Sequence, residues 1–314
     1  MKNATEKYQG HYSVLKAETV ELLAPENIEA SFVFIDGTLG EGGHTAAMLQ
    51  AWPNAVAAVN DADDQMIGRT RQKLDVFGKR VSYHLGWFDD FLENYKGERP
   101  QVIFLDLGIS MFHFLASARG FSFRDDTPLD MRLSHQGISA GEIVNSWSEK
   151  DLADLFRKYA DEKEGYYMAC TIVNNRPIHT ARQLGDLIYA NSKKQHYRIH
   201  PATKIFQALR IFVNQELFHL EKALPLAFNL LTGGGKLGII SFHSLEDRLV
   251  KNYFRDLSKN CHCPPTQMKC TCHGPLGILV NPGGTVPIQT EIEKNPASRS
   301  ARLRVIQKRG SQYV

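Results

Sequence analysis

A short apolar run followed by a glycine-rich turn constrains the fold of this chain more than any other segment. Residues 32–44 read FVFIDGTLGEGGH, and the run from Phe32 to Ile35 predicts a buried strand. Glycines at 37, 40, 42 and 43 follow, and then a segment of helical composition from Thr45 to Trp52. Glycines at a strand-to-helix turn let a ligand approach the backbone, whose amides point at it. The segment therefore predicts a site for a nucleoside-containing cofactor.

The spacing of these glycines narrows the class of ligand. The pattern G-x-x-G-x-G-G differs from the G-x-G-x-x-G of pyrophosphate binders, and no Lys-Ser/Thr pair follows it as in a P-loop. A tight turn that only packs a helix on a sheet would explain one or two of the glycines. The spacing therefore disfavours a phosphate-binding loop.

Composition and charge limit the kind of protein further. The 314 residues, 43% hydrophobic and 23% charged, are typical of a globular protein. No apolar run approaches the roughly 20 residues that span a membrane, and MKNATEKYQGHY lacks a signal-peptide core, so a cytoplasmic protein is expected. The net charge is +3, and the segment from Lys294 to Val314 has basic but no acidic residues, which indicates an anionic partner.

Apolar runs alternate with helical segments in the first third of the chain. Strands are predicted at 32–35, 55–59, 81–84 and 102–105. Because each run is almost continuously apolar, the alternation favours a parallel, doubly wound α/β sheet. Ligands of such sheets bind at the carboxyl ends of the strands, where three acids fall in this sequence: Asp36, Asp61 and Asp106.

The alternation stops at about Met111 and resumes after Phe212. The intervening segment is helical in pattern, whereas strands are again predicted at 236–242 and 301–306. The simplest organisation is one discontinuous α/β domain, residues 1–110 and 213–314, with an inserted helical domain at 111–212. Insertions at the ligand edge of such sheets commonly cap the site.

Three positions near the predicted strand ends are candidates to hold a nucleoside cofactor. Asp61, 18 residues after Gly43, is placed to accept hydrogen bonds from a ribose, as in NAD enzymes and in S-adenosylmethionine methyltransferases alike. Phe88 could stack on an adenine or belong to the core. The carboxylate of Asp106 could meet either a ligand amine or an arginine.

Further candidates follow in the second half of the chain. Ser241 and His243 are predicted at the mouth of the fifth strand, where a target base would enter. Lys204 and Arg210 fall outside the apolar face of a helix at 200–214, so they could contact phosphate or simply form a solvated basic face.

A cysteine cluster with the pattern C-x-C-x6-C-x-C lies near the end of the chain. Four thiolates suit zinc, but C-x-C is tighter than the usual C-x2-C, and a reduced surface loop is the alternative. The cluster and its neighbouring histidines are Cys261, His262, Cys263, Cys270, Cys272 and His273.

Eight motifs, in order along the chain, resemble those of the bacterial ribosomal RNA small subunit methyltransferase H family. They are DGTLGEGGH (36–44), DLGIS (106–110), RGFSF (119–123), PLDMR (128–132), HPAT (200–203), FQALRI (206–211), SFHSLEDR (241–248) and NPASRSARLR (295–304). The resemblance covers nearly the whole chain. It implies a Rossmann-like class I methyltransferase domain that binds S-adenosylmethionine, with an inserted helical domain that helps to hold RNA.

The resemblance also implies an activity, partners and site residues. The activity would be N4-methylation of a decoding-centre cytosine in 16S rRNA, within the small ribosomal subunit, by a chain that could form a homodimer; the family is not known for a metal. The implied cofactor residues are Gly42, Gly43, His44, Asp61, Phe88 and Asp106. His113 stands where the family usually has a glutamine that also contacts the cofactor.

Methyl transfer to a cytosine amine needs help, because the N4 lone pair is delocalised into the ring. As a hypothesis, Asp106 or Ser110 accepts the N4 proton, while Ser241 and His243 shape the pocket for a base presented unpaired. The candidates to hold the RNA backbone are Arg119, Arg132, Lys204, Arg210, Arg299, Arg302 and Arg304.

Two other functions compete with this interpretation. An NAD-dependent oxidoreductase would be expected to carry the G-x-G-x-x-G spacing, which is absent here. A non-catalytic RNA-binding protein with a degenerate methyltransferase fold is the other alternative. It is favoured by His113 and by the sequence NDADD at 60–64, where the family commonly has D-R-D-P.

Overall fold

Two compact units make up the chain in a computed structural model. The structure describes residues 13–160, 165–192, 200–261, 263–264, 267, 269, 271–272 and 274–310. Residue contacts group 109–216 into one unit, the helical unit, and the described residues of 12–108 and 217–314 into another, the sheet unit. Among the described residues, no helix is long and apolar enough to span a membrane.

One sheet runs through the described part of the sheet unit. Its strands are β1 (Phe32–Asp36), β2 (Ala55–Asp61), β3 (Val81–Leu85), β4 (Val102–Asp106), β5 (Lys236–Ser241), β6 (Gly277–Leu279) and β7 (Arg302–Lys308). They lie in the order β3-β2-β1-β4-β5-β7-β6. The strands β1 to β5 pair in parallel, as predicted, but β7 runs antiparallel to both β5 and β6. The fold is therefore Rossmann-like α/β, as predicted, and β7 adds an antiparallel edge to the parallel strands.

Helices occupy most of the remaining described chain. In chain order they are α1 (Lys16–Leu23), α2 (Gly43–Ala51), α3 (Asp64–Leu74), α4 (Phe88–Asn94), α5 (Met111–Leu115), α6 (Ala140–Ser146), α7 (Glu149–Ala160), α8 (Gly165–Asn174), α9 (Ala181–Asn191), α10 (Ala202–Val213), α11 (Glu216–Leu230), α12 (Ser244–Leu257) and α13 (Gln289–Lys294). Short 3-10 helices follow α3 at Asp75–Arg80 and precede β7 at Pro296–Ser300.

The core of the sheet unit lies on both faces of the sheet. Successive strand residues point to opposite faces, so Phe34 and Ile35 of β1 enter different layers. Phe34 packs edge-on against Trp52, with ring centroids 5.5 Å apart, in the layer that holds residues of α1, α2 and α3. Ile35 belongs to the layer formed with α4, α11 and α12. Because both faces are covered, polar residues that bind a ligand have to lie at the strand ends.

The helical unit has its own core. Leu155 and Phe156 of α7 and Ile205 and Leu209 of α10 are buried, which confirms the predicted apolar face of the 200–214 segment. The helices α6 and α9 begin with the capping residues Ser139 and Thr180. Each exchanges hydrogen bonds with the residue at the third helical position, Glu142 or Gln183. Among the described residues of 109–216 there is no strand, in agreement with the helical pattern of the sequence.

Candidate active site at the carboxyl edge of the sheet

Three carboxylates lie side by side at one edge of the sheet. Asp36, Asp61 and Asp106 are the last residues of β1, β2 and β4. Because β1 lies between β2 and β4, with Asp36 in register with Val59 on one side and Phe104 on the other, the parallel strands bring the acids to the same edge. The predicted clustering of these acids is thus confirmed.

The glycine turn after β1 is tied to the end of β2. The amide of Gly40 donates to Asp61 Oδ2 over 2.7 Å, and the amide of Leu39 donates to the Asn60 carbonyl over 2.8 Å. The Thr70 hydroxyl donates to the Gly40 carbonyl from α3, also over 2.7 Å. Gly40 and Gly42 have φ angles of +49° and +68°, which residues other than glycine rarely adopt.

Close packing also requires glycine at the start of α2. A Cβ atom on Gly42 would lie 2.3 Å from Thr70 Cγ2, and one on Gly43 would lie 1.8 Å from Ser13 Oγ. Packing beneath the turn therefore explains two of the glycines independently of any ligand.

Asp61 retains the capacity to bind a ligand while it holds the turn. Its Oδ1 accepts from the amide of Asp63 over 2.9 Å, in addition to the bond from Gly40. Asp61 is half-buried, so a ligand can reach its carboxylate, and its contact with ribose hydroxyls stays a prediction. The nearby Asp63 is buried and caps α3 by accepting from the amide of Gln65 over 3.0 Å. The structure thus favours Asp61 over Asp63.

Asp36 is a buried acid held by two threonines. Its Oδ2 accepts from the Thr45 hydroxyl over 2.5 Å and its Oδ1 from the amide of Thr38 over 3.2 Å. The Thr38 hydroxyl in turn accepts from the amide of Asp106 over 2.5 Å. Burial raises the pKa of Asp36 from 3.8 to about 6, against the smaller opposing effects of Thr45, His44 and Thr38.

His44 connects this acid to Asp106. Its Nε2 lies 2.9 Å from the Val14 carbonyl oxygen and its Nδ1 lies 3.4 Å from Asp106 Oδ2. Burial is the largest influence and lowers the pKa of His44, but the hydrogen bond and charge of Asp106, with the charge of Asp36, together raise it above its ordinary value. The resemblance implied His44 at the cofactor, and the structure places it directly beside Asp106.

Asp106 has a carboxylate oxygen that fits an incoming donor. Its side chain is 19% exposed, and within the described residues the buried Oδ1 has no hydrogen-bond partner. A buried carboxylate oxygen without a donor costs free energy, so a ligand ammonium or amine fits this position. This oxygen, beside a glycine turn and a half-buried Asp61, is the feature that matches the donor set of an amino-acid nucleoside such as S-adenosylmethionine.

Phe88 begins α4 and is only 8% exposed. It belongs to the buried layer that includes Ile35, which agrees with the core interpretation of this residue. The position of α4 depends on a contact that the sequence pattern does not reveal. His219 Nδ1 of α11 lies 2.7 Å from Asp89 Oδ1, and the His219 ring stacks on Trp87 with centroids 4.2 Å apart.

Ser241 and His243 are both engaged within the sheet unit. The buried Ser241 directs its hydroxyl at the Arg302 carbonyl oxygen of β7, 3.4 Å away. His243 caps α12, where its Nδ1 accepts from the amide of Glu246 over 3.4 Å. Its Nε2 lies 3.1 Å from Glu246 Oε1 without the geometry of a hydrogen bond. These contacts explain both residues structurally, and their catalytic role stays a prediction.

Ser110 and His113 lie in the helical unit, where they form the cap of α5. The amide of Ser110 donates to His113 Nδ1 over 3.1 Å, and His113 is buried beside Phe112 and Phe121. One ring nitrogen of His113 is thus used locally, and the cofactor contact that the resemblance implies stays a prediction.

Several of the basic residues predicted to hold RNA are used inside their own unit. Arg119 is buried and donates to the carbonyls of Arg132 and Leu133, over 3.1 and 3.0 Å. Arg304 is buried and forms a two-point contact with Asp247, at 2.7 and 3.1 Å. Both guanidinium groups are therefore engaged inside the protein, and their contact with RNA stays a prediction.

The remaining basic candidates differ in exposure. Arg132 Nε donates to Asp130 Oδ1 over 2.6 Å, and Arg210 makes a two-point contact with Glu216 over 2.7 and 2.8 Å. Arg302, more exposed, donates to the Gly283 carbonyl over 2.7 Å. Lys204 and Arg299 are exposed. Exposure therefore favours Lys204, Arg299 and Arg302 as contacts to RNA.

Replacing Asp36 by asparagine should change how stability depends on pH. Because the folded pKa lies above the unfolded value of 3.8, the native state binds more protons between pH 4 and 6, and stability falls as pH rises through that range. The asparagine side chain does not titrate, so the variant would lack this loss of about 3 kcal/mol. In thermal unfolding at pH 4, 5, 6 and 7, the midpoint of Asp36→Asn minus that of the wild type should increase by roughly 6 °C from the lowest to the highest pH. A constant difference at all four pH values would contradict the assignment.

Removing the Arg210 side chain should destabilise the helical unit. Arg210 and Glu216 are 13% and 10% exposed, so Arg210→Ala leaves a largely buried carboxylate unpaired, at a cost of about 3 kcal/mol. Arg210→Ala with Glu216→Gln should recover part of that loss. The control Lys204→Ala, exposed on the same helix, should change stability by less than about 0.5 kcal/mol. If Arg210→Ala has the unfolding midpoint of the wild type but binds rRNA more weakly, the structural role is contradicted and Arg210 is assigned to RNA binding.

Comparison with known proteins identifies the family. The model of the MraW methylase family matches residues 8–309. The chain is 48% identical over 307 residues to the ribosomal RNA small subunit methyltransferase H of Treponema denticola, covering 95% of this chain and 97% of that protein. It is 41% identical over 307 residues to the protein of that name from Borrelia turicatae, with the same coverage. The chain therefore belongs to the MraW methylase family, a family of S-adenosylmethionine-dependent methyltransferases.

Proposed function

We propose that this chain transfers the methyl group of S-adenosylmethionine to N4 of a decoding-centre cytosine in 16S rRNA. The observation that carries the proposal is the buried, unpartnered Oδ1 of Asp106 within the described residues, at the strand edge beside the glycine turn. The shared name of the relatives, ribosomal RNA small subunit methyltransferase H, supports small-subunit rRNA as the substrate.

The residues of the sheet unit supply what this cofactor needs. Asp106 would pair with the ammonium group of the cofactor, and Asp61 would accept hydrogen bonds from its ribose hydroxyls. The glycines of the turn at 40–43 would let the cofactor come close to the backbone. Phe88, the first residue of α4, is proposed to contact the adenine. When bound, the cofactor supplies a methyl group on a sulfonium, which is already activated for displacement.

The chain's own task is to align the cytosine amine and to remove its proton. The N4–CH3 bond forms as the S–CH3 bond breaks, and the amine proton passes to an acceptor on the protein. We assign that acceptor to Asp106, the last residue of β4, or to Ser110, four residues later, whose hydroxyl would accept the N4–H hydrogen bond and relay the proton to solvent. His44, 3.4 Å from Asp106 Oδ2, would hold the Asp106 carboxylate in place. Alignment and exclusion of water account for the rest of the acceleration.

The helical unit is proposed to be the inserted substrate domain. It has its own core, so it could hold RNA without altering the sheet. The target base has to be unpaired or flipped, because its amine is otherwise engaged in pairing. Lys204 from this unit, and Arg299 and Arg302 from the sheet unit, are proposed to contact the phosphate backbone.

Deletion of the gene tests the assignment in the cell. Nucleosides from 16S rRNA of the deletion strain, separated and weighed by mass spectrometry, should have lost N4-methylated cytidine. Expression of the wild-type chain should restore the modified nucleoside. An unchanged cytidine modification in the deletion strain would refute the proposal.

A further inference from the structure

Three cysteine side chains converge outside the site described above. They lie in the segment between α12 and β6, whose ends are joined by a hydrogen bond of 2.9 Å from the amide of Leu276 to the Leu257 carbonyl. The thiol sulfurs of Cys261, Cys263 and Cys272 all lie within 4.8 Å of one another. The segment is thus an excursion closed at its base, with three thiols gathered within it.

The distance between two of the sulfurs matches metal ligation rather than a disulfide. Cys261 Sγ and Cys272 Sγ are 3.8 Å apart. A disulfide bond would need about 2.05 Å. Two sulfurs of a tetrahedral zinc site, each about 2.3 Å from the ion, are about 3.8 Å apart.

Hydrogen bonds to the cluster give a second, independent observation. The amide of Thr271 donates to Cys263 Sγ over 3.3 Å, and the Gln267 amide group donates to the Thr271 hydroxyl over 2.8 Å. Backbone N–H groups directed at a cysteine sulfur orient it and stabilise its thiolate, as in the outer shell of metal sites.

We propose that Cys261, Cys263 and Cys272 bind a zinc ion as thiolates. Each thiol gives up its proton when it ligates the ion. The sequence cluster also includes His262, Cys270 and His273, which lie outside the described residues. The ion would tie together two parts of the excursion that are 11 residues apart in sequence. The role is structural and separate from methyl transfer.

Metal analysis of the full-length protein tests the site directly. The protein is purified with a reducing agent and no chelator, loaded with zinc, dialysed, and analysed by inductively coupled plasma mass spectrometry. About one zinc ion per chain is expected for the wild type, and under about one fifth of that for Cys261→Ser and Cys272→Ser. Cobalt in place of zinc should give the intense sulfur-to-cobalt charge-transfer absorption of thiolate ligation.

Cys170→Ser provides the matched control, because Cys170 lies in α8 of the helical unit. This variant should retain the full zinc content. All variants should bind S-adenosylhomocysteine with the wild-type affinity, which shows that any loss of zinc is not loss of the fold. Absence of zinc from the loaded wild type, retention of full zinc by Cys272→Ser, or a Cys261–Cys272 disulfide in the reduced preparation would overturn the proposal.

Discussion

Asp106→Asn should weaken the binding of S-adenosylhomocysteine by about 10- to 100-fold, the value of one charge-assisted hydrogen bond. Asparagine has nearly the same shape, so the change removes the negative charge and replaces one carboxylate oxygen by an NH2 donor. The Oδ1 atom that has no partner within the described residues would no longer attract an ammonium group. Isothermal titration measures this effect directly.

The same variant separates the two roles proposed for Asp106. If the carboxylate also accepts the N4 proton, kcat at saturating cofactor should fall by roughly 10²- to 10⁴-fold beyond the loss of affinity. A loss of affinity with normal kcat would assign proton acceptance to Ser110. The control is Asp90→Asn, an exposed acid on α4, which should change neither quantity. Normal affinity and normal turnover in Asp106→Asn would contradict both roles.

Gly43→Ala should disrupt the glycine turn and reduce cofactor affinity by more than about 10-fold. The added Cβ would lie 1.8 Å from Ser13 Oγ, so the start of α2 or the segment at Ser13 has to move. Overpacking of this kind typically costs about 1–3 kcal/mol of folding free energy. Gly42→Ala should act similarly, because φ of +68° strains any L residue and Thr70 Cγ2 lies 2.3 Å away.

Two further variants show whether the clash is the cause. Ser13→Ala combined with Gly43→Ala removes the closest contact and leaves the Ser13 Cβ at 3.2 Å, so affinity should recover in part. Gly68→Ala in α3 has no atom within 4 Å of its added Cβ and should stabilise the helix by up to about 1 kcal/mol. Cofactor affinity and unfolding midpoint are measured for all four variants. Wild-type affinity in Gly43→Ala would contradict the proposed turn.

Strand positions could be predicted because local pattern and burial agree there. In the runs at 32–35 and 102–105, the residues that point to either face of the sheet are apolar, because helices cover both faces. That agreement also placed Asp36, Asp61 and Asp106 at one edge. The edge strand β6, only three residues long with one exposed apolar side chain, carries no such pattern and was missed.

The contacts that decide side-chain roles are long-range, so sequence patterns could not reveal them. Nothing local marks His219 as the partner of Asp89, 130 residues earlier. The pairing of Arg304 with Asp247 similarly joins β7 to α12. Two arginines predicted to hold RNA, Arg210 and Arg304, thus form ion pairs that the sequence pattern does not reveal, and their contact with RNA stays a prediction. The local signal was Asp247, an acid in the first turn of α12. An acid at this position can stabilise the N-terminus of the helix or form an ion pair, and the sequence does not distinguish the two.

Methyl transfer from tritium-labelled S-adenosylmethionine to isolated small ribosomal subunits tests the central claim most directly. Subunits are taken from a strain that lacks this gene, incubated with the purified chain, and digested to nucleosides for chromatography. The label should elute with N4-methylcytidine for the wild type and be strongly reduced for Asp106→Asn. Free 16S rRNA is tested in the same way. Label in any other nucleoside, or no label in either the subunits or the free rRNA, would contradict the account.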